Sequence, residues 1–347
     1  MDCISIMGIG LLSCLGNDVN IVWERLMDQK DIEIEQNIIS FDSGIELNRK
    51  KKANRYSEMG IYVSKKALMD AELELDRINK NRIGTIFTTG YGPLNSALQF
   101  AESIAKKDWE YCSPVVFANT VNNACVGHIC MTFGLKGVST VLMASNNLTY
   151  SQLLLNTDKA DFILTGAIEE YCEELFNALK ARKSLKSLFL SEGAVSFLLK
   201  NGRDTKAYCS IVDIEECSIG SYPLTDTIAE EKVYSKIKEL ADKLARDHKI
   251  DVFFSSDNKT YFDSLESGAI QETLNKDMIY VNCVKNIFGE TLGASFNMNI
   301  MVAALCIRKG KLPLKLDSKQ RCIRCAMVSG YDISGNYLLA ILEDNQN

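Results

Sequence analysis

The chain has 347 residues, of which 46% are hydrophobic, and a formal net charge of −6 at pH 7. A chain of this length and composition can bury a large core, and its acidic balance argues against nucleic acid as the main partner. No apolar run is long enough to cross a membrane and no signal peptide is recognised, so we expect a cytoplasmic protein with no membrane partner.

The twelve cysteines are scattered in apolar surroundings. This pattern is typical of buried thiols in a cytosolic protein and not of a disulfide framework. Cys322 and Cys325 have C-x-x-C spacing, but the chain has no second such pair and only two histidines. A tetrahedral zinc site needs four such ligands, so we predict no metal and no cofactor.

Apolar patterning predicts strands and helices in turn along the chain. Strands are predicted at residues 2–12, 82–89, 138–141, 161–168, 194–199, 207–214, 251–256, 278–284, 326–330 and 337–342. Helices are predicted at residues 126–133, 173–188, 227–248 and 292–308, from residue 57 onward, and up to residue 26 behind a cap at Asn17 or Asp18. The run at 161–168 is continuously apolar, as in a central strand that is covered on both faces.

The stretch at 113–150 holds the most distinctive motifs. It reads SPVVFANTVNNACVGHI and then FGLKGVST, and its strand leads through the turn at 143–147 into a helix. Many enzymes mount a nucleophile in such a turn, because the helix dipole and free N–H groups favour a thiolate or an oxyanion there. The turn reads Met-Ala-Ser-Asn-Asn and contains no cysteine.

Six segments, in the same order along the chain, resemble those of the β-ketoacyl-acyl-carrier-protein synthases, the condensing enzymes of the thiolase superfamily. They are the motif at 113–140, IMGIG at 6–10 with GND at 16–18, TTGYG at 88–92, ADFILTGA at 160–167, SEGA at 191–194, and VKN with GETLGA at 284–294. The resemblance implies a thiolase-like α/β fold, in which two similar βαβαβ halves pack as α-β-α-β-α layers. We place the halves at residues 1–203 and 204–347, in one compact unit.

Enzymes of this family use a cysteine thiolate that takes up the acyl chain as a thioester. Counting forward from Gly137 places this nucleophile at Asn146, whereas counting back from residues 160–161 places it near Val141. Neither count reaches a cysteine. Ser145 is a poor replacement, because a hydroxyl without a general base beside it is a weak nucleophile.

The family also uses two histidines, which stabilise the charge that develops when the malonyl group decarboxylates, and a lysine that holds them. The spacing of Asp263 and Glu266 places the first histidine position at Ser255, and the second is occupied by Glu290. Lys285 is retained. We predict that Lys285 and Glu290 form a buried ion pair in the vacated site, the alternative being that the two side chains point apart.

Two further sets of residues have counterparts in the family. The middle residue of the G-x-G turn lines the acyl pocket there, which makes Tyr91 a candidate gate with Leu94 and Leu98 behind it. These leucines have an ordinary core role as their alternative. The basic run of Arg49, Lys50, Lys51 and Lys52 is either a docking point for an acidic acyl carrier protein or a solvated loop.

The retained scaffold and the missing cysteine and histidines predict a non-catalytic homologue that is inactive alone. It resembles the chain-length-factor subunits of type II fatty-acid, polyketide and polyene synthases. Such subunits pair with an active ketosynthase as a heterodimer, complete the acyl tunnel, and work with an acyl carrier protein. One alternative is a divergent acyltransferase that uses another thiol, with Cys125 nearest in sequence, and another is a homodimeric scaffold or acyl-chain binder.

Overall fold

The structure, a computed structural model, describes residues 3–28, 38–44, 52–107, 110, 112–182, 189–220, 224, 229–274, 277–317 and 321–345. The strands are β1 (Ile4–Leu12), β2 (Ile83–Thr89), β3 (Ser139–Met143), β4 (Phe162–Glu169), β5 (Gly193–Asn201), β6 (Ser210–Ser218), β7 (Val252–Phe254), β8 (Ile279–Val281), β9 (Cys325–Tyr331) and β10 (Asn336–Glu343). The α-helices are α1 (Val19–Met27), α2 (Arg55–Asp70), α3 (Leu94–Lys107), α4 (Pro114–Ala118), α5 (Ala124–Phe133), α6 (Leu148–Asn156), α7 (Glu173–Lys180), α8 (Glu230–Ala245), α9 (Phe262–Thr273), α10 (Val284–Phe288) and α11 (Ser295–Lys309).

The strands form one sheet of two half-sheets that share a topology. The order is β3-β2-β4-β5-β1 in the first half and, read from the opposite edge, β8-β7-β9-β10-β6 in the second. Corresponding pairs also run in the same sense, parallel on both sides of β2 and of β7 and antiparallel elsewhere. The half-sheets join where β1 pairs with β6 at Ile4–Ile211 and Ser5–Ser210. The two halves therefore repeat one arrangement, which the sequence alone did not reveal.

Three apolar clusters separate the layers of the fold. Helices α2 and α5 pack on the outer face of the first half-sheet, and α8 with α9 on the outer face of the second. Helices α6 and α11 lie between the half-sheets, where every residue from 295 to 307 is buried. The predicted thiolase-like α-β-α-β-α arrangement is confirmed.

Local side-chain chemistry sets several element ends. Asp18, and not Asn17, caps α1, because its Oδ1 accepts the N–H groups of Asn20 and Ile21 at 2.9 and 3.3 Å. Asn54 likewise caps α2 by accepting the Ser57 N–H at 3.0 Å, so that helix begins two residues before the predicted start.

Two predicted elements are displaced along the chain. The predicted helix at 292–308 begins as a 3₁₀ turn (Leu292–Ala294), and α11 starts only at Ser295. Leu292 is left-handed at φ 49° and its N–H binds a side chain, which prevents regular helix there. The strand predicted at 207–214 lies at Ser210–Ser218. Its second half is acidic and lies outside the predicted strand, yet it pairs with β10 along its length.

The cysteines all fall in the described part of the chain, and no disulfide joins them. Within the part of the chain that the structure describes, no group of three His, Cys, Asp or Glu side chains could hold a metal ion. Of the helices described, none is long and apolar enough to span a bilayer.

Candidate functional site

A buried ion pair lies where the resemblance places the second histidine. Lys285 is on the short helix α10, and Glu290 follows it after Gly289, whose φ of 78° turns the chain back. Their side chains are 4% and 0% exposed, and Lys285 Nζ lies 2.5 Å from Glu290 Oε2. The predicted Lys285–Glu290 pair is therefore confirmed.

The hydrogen-bonding capacity of both groups is used up. Lys285 Nζ also donates to Asn258 Oδ1 at 2.9 Å and to Tyr331 Oη at 3.1 Å. Glu290 Oε2 accepts from Tyr331 Oη at 3.0 Å, while Oε1 accepts from Leu292 N at 2.7 Å and Ser295 Oγ at 2.5 Å. An ammonium has three N–H donors, and all three are engaged. Lys285 therefore has no N–H donor left for a substrate carbonyl, and the Glu290 carboxylate has none to offer.

Ser255, the residue predicted at the first histidine position, and the nearby Asn258 have different surroundings. Ser255 continues β7: its N–H pairs with β8, and its carbonyl accepts from Asn299 Nδ2 at 3.0 Å. It is Asn258, three residues on, that reaches Lys285. Asn258 is held by Asp263, whose Oδ1 accepts its backbone N–H at 2.8 Å. In the sequence, the spacing of Asp263 and Glu266 predicts Ser255 as the first histidine position. In the structure, the Asp263 carboxylate accepts the backbone N–H of Asn258.

Left-handed backbone is concentrated around this pair. Asp257, Lys259 and Leu292 have φ values of 45°, 57° and 49° without being glycine. Such residues cost about 1–3 kcal/mol each and gather at functional sites. Asp257 is buried, which raises the pKa of its carboxyl, and its Oδ1 lies 2.5 Å from Lys259 Nζ. Left-handed backbone thus lies in both of the loops that flank the Lys285–Glu290 pair.

The candidate nucleophile turn connects β3 with α6. Val141 lies inside β3, so of the two positions reached by counting only Asn146 is in the turn. Asn146 Oδ1 accepts the N–H groups of Leu148 and Thr149 at 3.1 and 3.2 Å, and its Nδ2 donates to Glu216 Oε2 at 2.8 Å. The amide therefore caps the helix N-terminus, where a thiolate or oxyanion would be stabilised.

The first turn of helix α11 contacts both the candidate nucleophile turn and the ion pair. Ser145 is buried, and its carbonyl accepts from Asn297 Nδ2 at 3.3 Å, whereas Ser295 in the same first turn bonds Glu290. Among the described residues, no hydrogen bond joins Asn146 or Ser145 to Glu290. The structure brings the two predicted centres to one helix end and does not connect them.

Neither histidine of the chain lies at the site. His128 Nε2 is 3.2 Å from Asn119 Oδ1, and burial lowers the pKa of its imidazole. The side chain of His248 is buried, with Nδ1 2.8 Å from Glu343 Oε1 at the C-terminal end of β10. Ser145 consequently has no imidazole to act as its general base.

The surroundings of Cys125 argue against it as the alternative nucleophile. Its thiol is fully buried between α2 and α5, where its Sγ lies 2.4 Å from the point that a Cβ on Gly60 would occupy. Burial also raises the pKa of the thiol far above its usual value. Burial therefore both removes the sulfur from the surface and disfavours the thiolate form that a nucleophilic cysteine needs.

Tyr91 lies next to the filled site. It packs against an apolar cluster with Phe176, Leu224, Leu292 and Tyr331. The candidate tunnel residues Leu94 and Leu98 are half-buried on α3 and are not members of that cluster.

Of the predicted docking run, Arg49, Lys50 and Lys51 lie outside the described residues. Lys52 is exposed, and its carbonyl accepts from Asn119 Nδ2 at 2.7 Å.

Comparisons with known proteins find β-ketoacyl synthases and solved structures that share their fold. Residues 33–187 match the model of the family described as "Beta-ketoacyl synthase, N-terminal domain". The 3-oxoacyl-[acyl-carrier-protein] synthase 2 of Coxiella burnetii is 22% identical over 89% of this chain and 86% of its own length, and that of Staphylococcus aureus is 20% identical over 88% of each.

Two solved structures share the fold over 99% of both chains. One is the ishigamide ketosynthase/chain length factor, with a TM-score of 0.81 at 17% identity. The other is a type II polyketide synthase acyl-carrier protein in complex with its ketosynthase bound to the hexaketide, with a TM-score of 0.78 at 15% identity.

Proposed function

We propose, from the premise that the chain belongs to the β-ketoacyl synthase family, that it is a non-catalytic subunit of the chain-length-factor type. It pairs with an active ketosynthase and shapes the acyl tunnel of a type II fatty-acid, polyketide or polyene synthase. The acyl carrier protein brings the growing chain, and basic residues at 49–52 would receive it. We place this complex in the cytoplasm.

The saturated Lys285–Glu290 pair is the observation that carries the proposal. Decarboxylation of a malonyl thioester develops negative charge on its carbonyl oxygen, which must meet preorganised donors. A carboxylate at Glu290 repels that charge, and the Lys285 donors are all engaged. With no cysteine in the nucleophile turn as well, both the acylation step and the decarboxylation step lack their groups.

An open sheet edge supports the partner. Among the residues that the structure describes, strand β3 is the edge of the first half-sheet and pairs on one side only, with β2. Apolar side chains are exposed around it: Met143 on β3, Met131 on the adjacent α5, and Leu153 on α6. An unpaired strand edge beside exposed apolar side chains is typical of a protein interface. We commit to a ketosynthase of the same fold as its occupant, since the similar ishigamide protein is a ketosynthase/chain length factor.

Tyr91 is the proposed determinant of chain length. Its ring packs beside Leu292 and Tyr331, next to the filled site, where a tunnel shared with the partner would end. Replacing this ring by a methyl group would deepen the tunnel. The Tyr91→Ala complex is therefore expected to release longer products than the wild-type complex, and unchanged products would remove Tyr91 as the gate.

The test is co-expression with an active ketosynthase while only this chain is tagged, followed by native mass spectrometry and product analysis. A one-to-one complex that elongates acyl chains, when neither subunit does so alone, supports the proposal. Met143→Glu should abolish the complex, because Met143 is 53% exposed at the β3 edge. Ile21→Glu is the matched control: Ile21 is 45% exposed but lies on α1, which packs at the opposite edge of the half-sheet.

Two outcomes would overturn the proposal. A chain that elutes alone and takes up an acyl group from a carrier thioester is a divergent acyltransferase. A purified homodimer that carries fatty acid and ignores every ketosynthase is a scaffold or an acyl-chain binder.

A further inference from the structure

Glu169, the last residue of β4, is a buried carboxylate that binds two separate turns. Its oxygens accept the N–H groups of Gly90 at 2.7 Å, Tyr91 at 3.0 Å and Gly293 at 3.2 Å, and the Thr89 hydroxyl at 3.3 Å. Among the described residues, no cation forms an ion pair with it. Converging backbone N–H groups of this kind form a nest for an anion, and here the anion belongs to the chain itself.

The two turns touch each other across this carboxylate. A Cβ on Gly293 would lie 2.3 Å from the backbone nitrogen of Gly90 and 2.8 Å from Glu169 Oε2. A Cβ on Gly90 would lie 2.9 Å from the same oxygen. Both positions therefore need glycine, and removing the carboxylate would leave the buried N–H groups of Gly90 and Gly293 and the part-buried N–H of Tyr91 without this acceptor.

Each turn carries a residue of the apolar cluster beside the ion pair. The first carries Tyr91, and the second carries Leu292, whose N–H is bound by Glu290. Glu169 thus sets the distance between the backbone of Tyr91 and the Lys285–Glu290 centre. Three hydrogen bonds, from Thr89, Gly90 and Tyr91 to the one Glu169 carboxylate, leave the first turn little freedom to move.

We propose that Glu169 is the positioning residue for the Tyr91 gate, and that through Tyr91 it sets the length of the acyl chain the complex releases. The inference rests on the proposed function and deepens it. Glu169 touches no substrate in this role. It acts by holding the turn at 89–92 against the turn at 292–294.

The next residue offers a matched control. Glu170 is also buried at the end of β4, but its Oε1 accepts the N–H of Asn95 at 3.1 Å in the first turn of α3. None of its recorded hydrogen bonds reaches Tyr91 or Gly293. Glu170→Gln therefore perturbs a neighbouring buried carboxylate without releasing the gate.

The experiment compares Glu169→Gln with Glu170→Gln in the complex with a ketosynthase. The side-chain amide introduced by Glu169→Gln must turn an NH₂ group toward N–H donors, so the turn should shift and the product distribution should move by at least one elongation step. Glu170→Gln should leave the distribution unchanged. In a Tyr91→Ala background, Glu169→Gln should cause no further change, because the gate through which it acts is gone.

Hydrogen exchange on the isolated chain separates the two proposals. Glu169→Gln should speed exchange of the Gly90, Tyr91 and Gly293 amides together, by about tenfold or more. Faster exchange with unchanged product length overturns the inference and leaves the proposed function standing. A change in product length that adds to the change caused by Tyr91→Ala has the same meaning. A wild-type complex that makes no product overturns both. If Glu169→Gln does not fold, Glu169→Asp, which keeps the charge and shortens the reach, is judged by the same outcomes.

Discussion

The two half-sheets share a strand order and differ at their edges and centres. Strand β3 ends the first half-sheet with exposed residues at both of its ends, and Met143 is one of them. Strand β8 ends the second with only three residues, of which Ile279 and Val281 are buried. The central helices differ in the same way: α11 is buried through most of its length, while α6 exposes Tyr150 and Leu153. The two halves repeat one topology, but the first exposes apolar side chains at its edge strand, whereas the second buries most of its edge strand.

Each half also buries a glutamate with a cation. In the second half, Lys285 and Glu290 are both removed from water. In the first half, Arg55 binds the buried Glu192 through Nε at 2.9 Å and through Nη2, but the arginine side chain is 35% exposed. Water can therefore reach one pair and not the other. The difference predicts how much each pair matters for stability.

The largest effect is expected for Lys285→Met. It leaves the Glu290 charge buried without its cation, which should lower the free energy of unfolding by about 3–5 kcal/mol in chemical denaturation. The double variant Lys285→Met with Glu290→Gln should recover most of this loss, because the amide oxygen of the introduced glutamine can still accept the Leu292 N–H. A single variant that loses less than about 1 kcal/mol would show that the pair is solvated.

Arg55→Met should cost less, about 2 kcal/mol, because water can take over part of the role of the guanidinium at Glu192. The same denaturation measurement tests it. The prediction is the order of the two losses in the free energy of unfolding. An Arg55 variant that is less stable than the Lys285 variant would contradict the inferred difference in water access to the two ion pairs.

A third contrast concerns two buried carboxyls that have no cation among the described residues. Burial raises the pKa of Glu169 and of Glu266 to about 7, although hydrogen bonds lower both. Glu169 depends mainly on backbone N–H donors. Glu266 binds the hydroxyls of Ser329 and Tyr337, both at 2.7 Å, and the backbone and side chain of Ser256. Hydroxyls can rotate to accept a proton, so the second half should tolerate a neutral residue better.

Glu266→Gln should accordingly fold and change the pH dependence of stability. Between pH 4.5 and about 7 the folded chain holds a proton on Glu266 that the unfolded chain has released. The free energy of unfolding contributed by this group therefore falls as pH rises through that range, by up to ~1.4 kcal/mol per pH unit. The variant should show a shallower fall between pH 4.5 and 7 than the wild type. Parallel pH curves for the two would contradict the assignment.

The part of the site that could be predicted from sequence depends on side chains close together along the chain. Lys285 and Glu290 are five residues apart in one motif, so their pairing was accessible. Asn258 was missed because left-handed backbone at Asp257 and Lys259 redirects the loop, and no simple pattern marks such residues. Glu169 was missed because most of its partners are backbone N–H groups, which leave no signature in the sequence.

The same distinction between local and long-range contacts decides which parts of the fold could be predicted. Apolar patterning located the strands, but the shared strand order depends on pairings between distant segments, such as β1 with β6. The predicted position of β6 is wrong because its acidic second half resembles a loop. In the structure Glu215 pairs with Lys243 on α8, and such surface compensation depends on tertiary contact.

The smallest expected effect on stability is that of a cysteine placed in the candidate nucleophile turn. This variant tests whether a thiol there is enough for activity. Asn146→Cys restores a thiol in the turn and removes the side-chain cap of α6, which should cost about 1 kcal/mol. If the proposed function holds, no condensation product should form, with or without a carrier-bound acyl chain, because Lys285 and Glu290 still fill the position proposed for the malonyl carbonyl. Asp18→Ala, which removes the comparable cap of α1, is the stability control. Product formation by Asn146→Cys would mean that the second half is still competent, and the Lys285–Glu290 pair could no longer carry the non-catalytic proposal.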